Sequence, residues 1–194
     1  MSDIKFLSKL KLDGIKFRRL TYFDLARVKW LNELCLPENY SWRTWLGLYN
    51  LFSDISFVAI DTKKDLACAY CVNKMDEGPS FWNKNKIIKK GHVFSVATHP
   101  DYRKRGLATI LLALSFDAMF KKGAEEIFLE VRVSNTPAIT LYQKRFKMDI
   151  VGRVVGYYHD GEDCYVMAVP RIRVENLIRE IVRYVKDKNL LEYE

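Results

Sequence analysis

Short apolar runs alternate along this chain with longer segments in which apolar residues recur every three or four positions. The runs ISFVAI (55–60) and LACAYCV (66–72) are separated by the polar turn DTKKD, so they predict a β-hairpin. From Leu107 to Ala118 the apolar residues follow a period of about 3.6, which predicts an amphipathic helix that Gly123 ends. A similar pattern from Val174 to Val185 predicts an amphipathic C-terminal helix.

The rest of the chain continues this alternation. A strand is expected at Ile15–Leu20, followed by a helix that starts with a capping-box-like Thr21 and Asp24 and stops before Pro37. A second helix is expected at 41–52. Further expected elements are the loop EGPSFWNKNK, the strands HVFSVAT, IFLEVRV, MDIVGRVVGYY and DCYVMAV, and a helix with Pro137 in its first turn. This order predicts an α/β (α+β) domain with a mixed central sheet flanked by helices.

The length and composition of the chain predict how many domains it forms and where in the cell it works. The chain has 194 residues, of which 49% are hydrophobic and 29% are charged, as in one soluble domain with a packed core. No apolar run approaches the roughly 20 residues that span a bilayer. The N-terminal segment lacks the apolar core and the cleavage site of a signal peptide. We therefore expect a cytoplasmic protein with no membrane partner.

The formal net charge of +8 leaves two interpretations open. It fits a surface rich in lysine and glutamate that is simply solvated, and it also permits an anionic partner such as a cofactor or RNA. Charge alone does not decide between them.

The four cysteines include one close pair, Cys68 and Cys71, in the spacing CxxC. Such a pair raises the possibility of zinc or redox chemistry. The pair lies in a predicted strand, where positions three apart point to opposite faces, and no second cysteine or histidine pair accompanies it. We expect buried thiols and no metal site.

The stretch RKRGLA (103–108) places three cations and a glycine directly before an apolar helix. The first turn of a helix exposes N–H groups and a positive dipole end, which together favour phosphate or pyrophosphate. Neither a P-loop nor the dinucleotide motif GxGxxG is present. From the residues alone, a phosphate site and an ordinary basic helix cap are equally good interpretations.

Four stretches together resemble one family. RKRGLA resembles the (Q/R)xxGx(G/A) acetyl-CoA loop of the GNAT acetyltransferases, and the order of elements over about residues 15–169 fits that fold. LPENY (36–40), VRVSN (131–135) and YYHDGED (157–163) resemble the N-terminal protein acetyltransferases of the NatA catalytic-subunit type. The long lysine-rich loop before His92 favours the archaeal relatives.

The resemblance implies transfer of acetyl from acetyl-CoA to the α-amine of a protein. It also implies a GNAT acyl-CoA N-acyltransferase fold at 15–170, preceded by a lead segment at 1–14 and followed by an appended C-terminal helix at 171–194.

The same resemblance implies which residues hold acetyl-CoA. Main-chain groups of Val96, Ala97 and Thr98 would bind the pantetheine arm. The loop and helix start would bind the pyrophosphate, using Arg103, Lys104, Arg105, Gly106, Leu107, Ala108 and Thr109. Asn135, Tyr142 and Lys144 would also face the cofactor. Ordinary strand core is the alternative for Val96 and Ala97, and both interpretations are compatible because these contacts use backbone.

Three residues are candidates for acid–base chemistry. An α-amine has a pKa of about 8, so much of it is protonated at neutral pH and needs a base before it attacks. Glu130 lies among apolar strand residues, where a carboxylate is costly without a partner or a task, and His92 titrates in a suitable range. We expect both to act through water. The alternative is a surface pair of Glu130 with Arg132 or a lysine, and a structural His92.

Tyr142 would protonate the departing CoA thiolate; the alternative is an aromatic residue on a helix face.

The substrate-binding candidates come from the stretches LPENY and YYHDGED. The resemblance implies that Leu36, Glu38, Tyr40 and Tyr158 surround the first residues of the acceptor peptide, with Glu38 tuning the preference among Ser, Ala and Met. LPENY is equally plausible as a helix stop. His159 is expected to be exposed and not catalytic.

Two other functions compete with Nα-acetylation. One is a GNAT enzyme that acetylates another amine, such as a lysine side chain, a polyamine or one ribosomal protein terminus; LPENY and YYHDGED oppose it. The other is a basic RNA- or ribosome-binding module, which the absence of an RNA-binding motif and the acidic candidate site oppose. The expected partners are protein N-termini, with the ribosome and nascent chains permitted and no specific nucleic acid.

Overall fold

The computed structural model describes residues 6–192, so the ends of the lead segment and of the C-terminal tail lie outside the described residues. The fold is one seven-stranded sheet with helices on both faces. The strands are β1 (Ile15–Arg19), β2 (Phe57–Asp61), β3 (Leu66–Pro79), β4 (Ile87–Thr98), β5 (Glu126–Arg132), β6 (Asp149–Val154) and β7 (Cys164–Pro170). The helices are α1 (Leu25–Cys35), α2 (Trp42–Phe52), α3 (Leu107–Lys121), α4 (Thr136–Phe146) and α5 (Arg171–Asp187). The predicted element order is confirmed.

The sheet runs β1-β2-β3-β4-β5-β7-β6, and only the central β4–β5 pair is parallel. That pairing is short, because it joins Lys90–His92 to Glu126–Phe128 and goes no further. Residues 93–98 of β4 therefore lack ladder partners on β5. Main-chain groups along that edge are left to bind something else.

Local sequence explains where the helices α1 and α2 begin. The capping box of Thr21 and Asp24 is confirmed, although a 3₁₀ turn comes between it and α1. Asp24 also accepts two hydrogen bonds from the Arg18 guanidinium, which fixes the entry to the helix against β1. Ser41 caps α2, accepting a hydrogen bond from the Thr44 N–H.

The core lies on both sides of the sheet. Helices α1 and α2 cover one face around Trp45 and Tyr70, both fully buried. Helices α3 and α5 lie on the other face, which holds the larger cluster. The amphipathic pattern predicted for α3 is wrong in one respect: residues Ile110–Phe116 are all buried. The sheet covers one side of α3 and α5 another, so the extra C-terminal helix is part of the main core.

Two strand boundaries differ from the sequence prediction. Strands β3 and β4 run further than expected, so the loop shrinks to residues 80–86. The buried Glu126 carboxylate fixes that loop, because it accepts hydrogen bonds from the Ser80 hydroxyl and the Phe81 N–H. Strand β6 ends at Val154, well short of the predicted MDIVGRVVGYY, since Gly156 takes φ +63° and its N–H turns to Asp163.

The CxxC pair is buried, but the prediction that its side chains point to opposite faces is wrong. Cys68 is the extra residue in a β-bulge between β2 and β3, so Cys68 and Cys71 belong to the same core cluster. Burial raises the pKa of each thiol to about 12. Within residues 6–192 there is no group of three or more His, Cys, Asp and Glu side chains that could hold a metal ion.

The described parts of both termini pack on the domain. Leu7 and Leu12 are buried in the larger cluster, and the Lys11 N–H donates to the Arg105 carbonyl. At the other end, residues 190–192 lie beside β1, where the Phe17 N–H donates to the Leu190 carbonyl. No helix in the described range is both long and apolar enough to cross a membrane.

Candidate active site

Two cavities meet where β4 and β5 separate. The larger, about 660 Å³, runs along the end of β4 and the start of α3, and we call it the donor groove. The smaller, about 310 Å³, lies between β4, β5 and the segments that contain LPENY and YYHDGED, and we call it the acceptor cavity. Both are lined by Cys35, Leu36, Val96 and Asn135, so a molecule in one reaches a molecule in the other.

The donor groove gathers most of the residues predicted to hold a cofactor. Its lining includes Val96, Ala97, Thr98, Arg103, Lys104, Gly106, Leu107, Ala108, Thr109 and Asn135. Asn135 also caps α4, because its side-chain oxygen accepts from the Ala138 N–H. Three predicted residues do not line the donor groove: Tyr142 lines the acceptor cavity, Arg105 lines a neighbouring basic pocket, and Lys144 is exposed and lines neither cavity.

The turn before α3 has the backbone of an anion site. Lys104 and Gly106 take φ +60° and φ +95°, so two residues of this turn lie in the left-handed region, which a lysine adopts uncommonly. The first N–H groups of the helix have no partners within it. A Cβ on Gly106 would lie 2.3 Å from a Leu10 methyl group, so the lead segment presses on the turn from behind.

The acceptor cavity contains one carboxylate from the middle of the sheet. Glu130 lines the cavity, and its Oε2 lies 2.6 Å from the His92 Nε2. His92 does not line the cavity and is 8% exposed, because it lies behind Glu130. Its ring is stacked on the Phe128 ring, with 4.2 Å between the two ring centroids. The other ring nitrogen, Nδ1, lies 3.2 Å from the Asp76 Oδ2. Glu130 is therefore paired with His92, and within residues 6–192 it forms no ion pair with Arg132 or with a lysine.

Arg132 instead joins the two segments that border the acceptor cavity. Its guanidinium donates to Glu38 on one side and to Asp160 and Glu162 on the other. Its side chain is 14% exposed, so these ion pairs are partly shielded from water. The Ser134 hydroxyl and N–H, followed by Arg132, hold the pKa of Glu162 below its ordinary value.

Aromatic side chains form the walls of this cavity. Tyr40 packs on Phe94 and Trp45, and the Arg132 guanidinium lies 4.1 Å over the Tyr158 ring. Burial, followed by the charge of Glu38, raises the phenol pKa of both Tyr40 and Tyr158. Both tyrosines are therefore neutral hydrogen-bonding groups at neutral pH. His159 is exposed, as expected.

Tyr142 lies at the floor of the acceptor cavity and is 6% exposed. Burial raises its pKa further above the ordinary phenol value. It therefore keeps its proton throughout the neutral range, as an acid must before it can donate.

Sequence reasoning did not assign four of the residues at this site. No motif indicated Asp76 or Cys35, although Cys35, the last residue of α1, borders both cavities. Tyr157 was quoted within YYHDGED but was given no role. Arg132 was quoted within VRVSN, but its partners lie 28 to 94 positions away. The sequence offered one signal for this network: Arg132 is a basic residue at the end of a strand, and acidic residues occur in the distant segments LPENY and YYHDGED.

Two adjoining cavities, one beside a basic turn at a helix start and one lined by a carboxylate, suit an enzyme that transfers a group from a phosphate-bearing donor to a second substrate. Residues 25–148 match the Acetyltransferase (GNAT) family, and the chain belongs to it. Acetyl-CoA is the donor of that family, and the anion-binding turn beside a long groove fits such a donor.

Relatives place the chain more narrowly. It is 41% identical to the N-alpha-acetyltransferase of Saccharolobus solfataricus, over 76% of this chain and 87% of that one. It is also 41% identical to the N-alpha-acetyltransferase of Sulfurisphaera tokodaii, over 86% and 99%. Among solved structures, the NatC complex bound to Gag peptide and CoA is similar with a TM-score of 0.73, at 25% identity over 81% of this chain and 98% of that chain. The family resemblance drawn from the motifs is confirmed.

Proposed function

We propose that this enzyme transfers acetyl from acetyl-CoA to the α-amine of protein N-termini of the Ser, Ala and Met type. The observation that carries this proposal is the position of Glu130, whose carboxylate, bound to His92, lines the cavity that opens onto the donor groove. A chain terminus entering this cavity meets a base and neutral tyrosines on the way in.

Glu130 and His92 remove the proton that keeps the α-amine from attacking. Glu130 accepts it through a water molecule and shares it with the His92 Nε2, 2.6 Å away. Positioned groups of this kind typically contribute about 10²–10⁴-fold in rate.

Acetyl-CoA supplies the acetyl group as a thioester. The main chain of residues 96–98 and the turn at 103–109 hold the donor, and Tyr142 holds the proton that the departing sulfur needs. The free amine attacks directly, with both substrates bound, and the carbon–sulfur bond breaks as the new carbon–nitrogen bond forms. The nitrogen then loses its second proton to solvent, and this proton replaces the one that Tyr142 gives to the sulfur.

Mass spectrometry of peptide products tests the reaction. A Ser-initiated peptide with one internal lysine is mixed with the enzyme and acetyl-CoA, alongside the same peptide with a blocked N-terminus and a polyamine. We expect one acetyl group, on the α-amine of the free peptide. Acetylation of the blocked peptide or of the polyamine at a comparable rate would favour the competing amine acceptors, and no product with any acceptor would reject the proposal.

A double-mutant cycle tests the base. Glu130→Gln and His92→Ala should each lower kcat, and together they should lose much less than the product of the two losses, because they serve one proton transfer. Independent, multiplicative losses would show two separate roles. Full turnover of Glu130→Gln between pH 6 and pH 9 would reject this mechanism.

We also propose that the enzyme works in the cytoplasm on nascent chains at the ribosome. The net charge of +8 supports contact with an anionic surface of this kind. Cosedimentation with ribosomes should be retained at low salt and lost at high salt. An enzyme that stays in the supernatant at low salt would reject ribosome contact and leave the acetylation reaction unaffected.

A further inference from the structure

We infer that Asp76 is a positioning residue for the base pair formed by Glu130 and His92: it fixes the imidazole from behind and stabilises the charge it acquires. The inference deepens the proposed mechanism. It rests on three side chains in a row, Asp76, His92 and Glu130, of which only the last lines the acceptor cavity.

The row is assembled by neighbouring strands. In the sheet register His92 on β4 faces Lys74 on β3, which brings Asp76, two positions along the same face of β3, diagonally next to the imidazole. Phe128 on β5 stacks on the ring and prevents it from tilting. The imidazole thus has one carboxylate at each nitrogen.

The proton positions follow from the two contacts. Asp76 accepts the Nδ1 proton, so Nε2 is the nitrogen that faces the Glu130 Oε2. A contact of 2.6 Å between these two atoms requires a shared proton, so it corresponds to the pair after it has taken one proton from the amine through water. Without that proton the imidazole lone pair and the carboxylate oxygen repel each other, which is why the pair takes the proton readily. The imidazole then carries positive charge between two carboxylates, and the pair later releases the same proton to solvent. Asp76 stays ionised throughout, and no proton is gained or lost in the cycle.

The charged groups around the imidazole determine the direction in which each substitution shifts the pH profile. On β3 these are Asp76 and Lys74, whose Nζ lies 3.1 Å from the same Asp76 oxygen. On β5 it is Glu130, and on β4 the Lys90 Nζ lies 5.3 Å over the Phe128 ring. Asp76 favours the protonated pair, whereas Lys74 partly neutralises Asp76.

Two substitutions should therefore act in opposite directions. Asp76→Asn keeps the shape and removes the charge, so the acidic limb of the kcat/KM profile should move to lower pH by about one unit, since a nearby opposite charge shifts such a group by about that much or more. Its kcat at neutral pH should fall about tenfold, because the pair becomes a weaker base and the ring loses its preferred tautomer. Lys74→Met should move the same limb to higher pH.

Glu77→Gln is the matched control. It removes one carboxylate at the next position of β3, where the side chain is exposed and points to the other face of the strand. We expect its profile to overlay that of the unmodified enzyme. Asp76→Glu should restore part of the lost kcat, since it restores the charge.

A second readout is independent of turnover. The chain has three histidines, so the His92 ring can be identified in a nitrogen NMR titration by its loss in His92→Ala. Its midpoint should move to lower pH in Asp76→Asn and to higher pH in Lys74→Met. The inference would be overturned if Asp76→Asn shifted neither the His92 titration midpoint nor the acidic limb of the kcat/KM profile, whether or not kcat fell. The proposed function would still stand. Full turnover of Glu130→Gln would instead reject the base mechanism, while the titration would still report on Asp76.

Discussion

The donor groove and the acceptor cavity adjoin each other but are built from different kinds of group. The groove is formed mainly by one stretch of chain, residues 96–109, which contains a left-handed turn and a helix start. The cavity is lined by residues from five separate segments, 35–40, 93–96, 129–135, 142 and 157–158. Arg132 joins the first of these segments to Asp160 and Glu162, which follow the last. A site formed by one contiguous stretch depends mainly on the conformation of that stretch. A network of side chains depends instead on the identity of each residue in it.

The largest effect is expected from breaking the network at its centre. Arg132→Gln leaves Glu38, Asp160 and Glu162 without their common cation, so three carboxylates at the border of the acceptor cavity repel one another. We expect kcat/KM for the peptide to fall by roughly 100-fold, because several charge-assisted hydrogen bonds are lost at once. Acetyl-CoA affinity, measured by calorimetry, should stay within twofold.

Arg153→Gln is the matched control, because it breaks a more exposed pair with Asp163 in the same region. A comparable loss in that variant would show that any ion pair near β6 and β7 matters equally, contrary to a special role for Arg132.

The opposite pattern is expected from the donor groove. Gly106→Ala forces a residue with a Cβ into φ +95°, which costs about 1–2 kcal/mol and shifts the anion-binding turn. Acetyl-CoA affinity should fall about tenfold on the same estimate, while the preference among peptides stays unchanged. Gly123→Ala carries a similar φ of +94° at the other end of α3 and should leave affinity intact. Equal losses in both variants would mean that global destabilisation is being measured.

A smaller effect is expected from one member of the network. Glu38→Val should shift preference toward Met-initiated peptides by about tenfold in the kcat/KM ratio, since one apolar contact is worth about 1–3 kcal/mol. Glu38→Gln, which keeps an oxygen for the Arg132 guanidinium, separates lost charge from lost anchoring. An unchanged Met-to-Ser ratio in both variants would leave Glu38 as an anchor for Arg132 without a role in specificity.

The smallest effect is expected in how the thermal stability of the enzyme changes at acidic pH. The Glu162 N–H and then Arg132 hold the pKa of Asp160 below its ordinary value, and Ser134 and Arg132 do the same for Glu162. A carboxyl group whose pKa is lower in the folded state stabilises that state when the pH is above its unfolded pKa of about 4. This contribution is lost as the pH falls through the lower pKa of the folded state. The Tm difference between the unmodified enzyme and Asp160→Asn with Glu162→Gln should therefore shrink between pH 5 and pH 3. A constant difference would contradict the prediction.

The same contrast explains what was predictable from the sequence. The turn at RKRGLA, the helix boundaries and the element order are local features, and periodicity or a short motif indicates each of them. The ends of β3, β4 and β6 were not predictable, because Glu126 fixes the loop at 80–86 across the sheet and Gly156 turns its N–H to Asp163. Lys144 was carried over from the resemblance, but its side chain is exposed on α4 and lines neither cavity.

By itself the sequence determined the fold class, the basic turn before α3 and the candidate base, because these depend on near neighbours in the chain and on the cost of a carboxylate among apolar strand residues. Only the tertiary structure decided that Glu130 pairs with His92, that Asp76 stands behind both, and that Arg132 joins Glu38 to Glu162. The physical reason is distance along the chain. Hydrogen bonds and ion pairs act over a few ångströms, and the folded sheet alone brings groups 16 to 94 positions apart within that range.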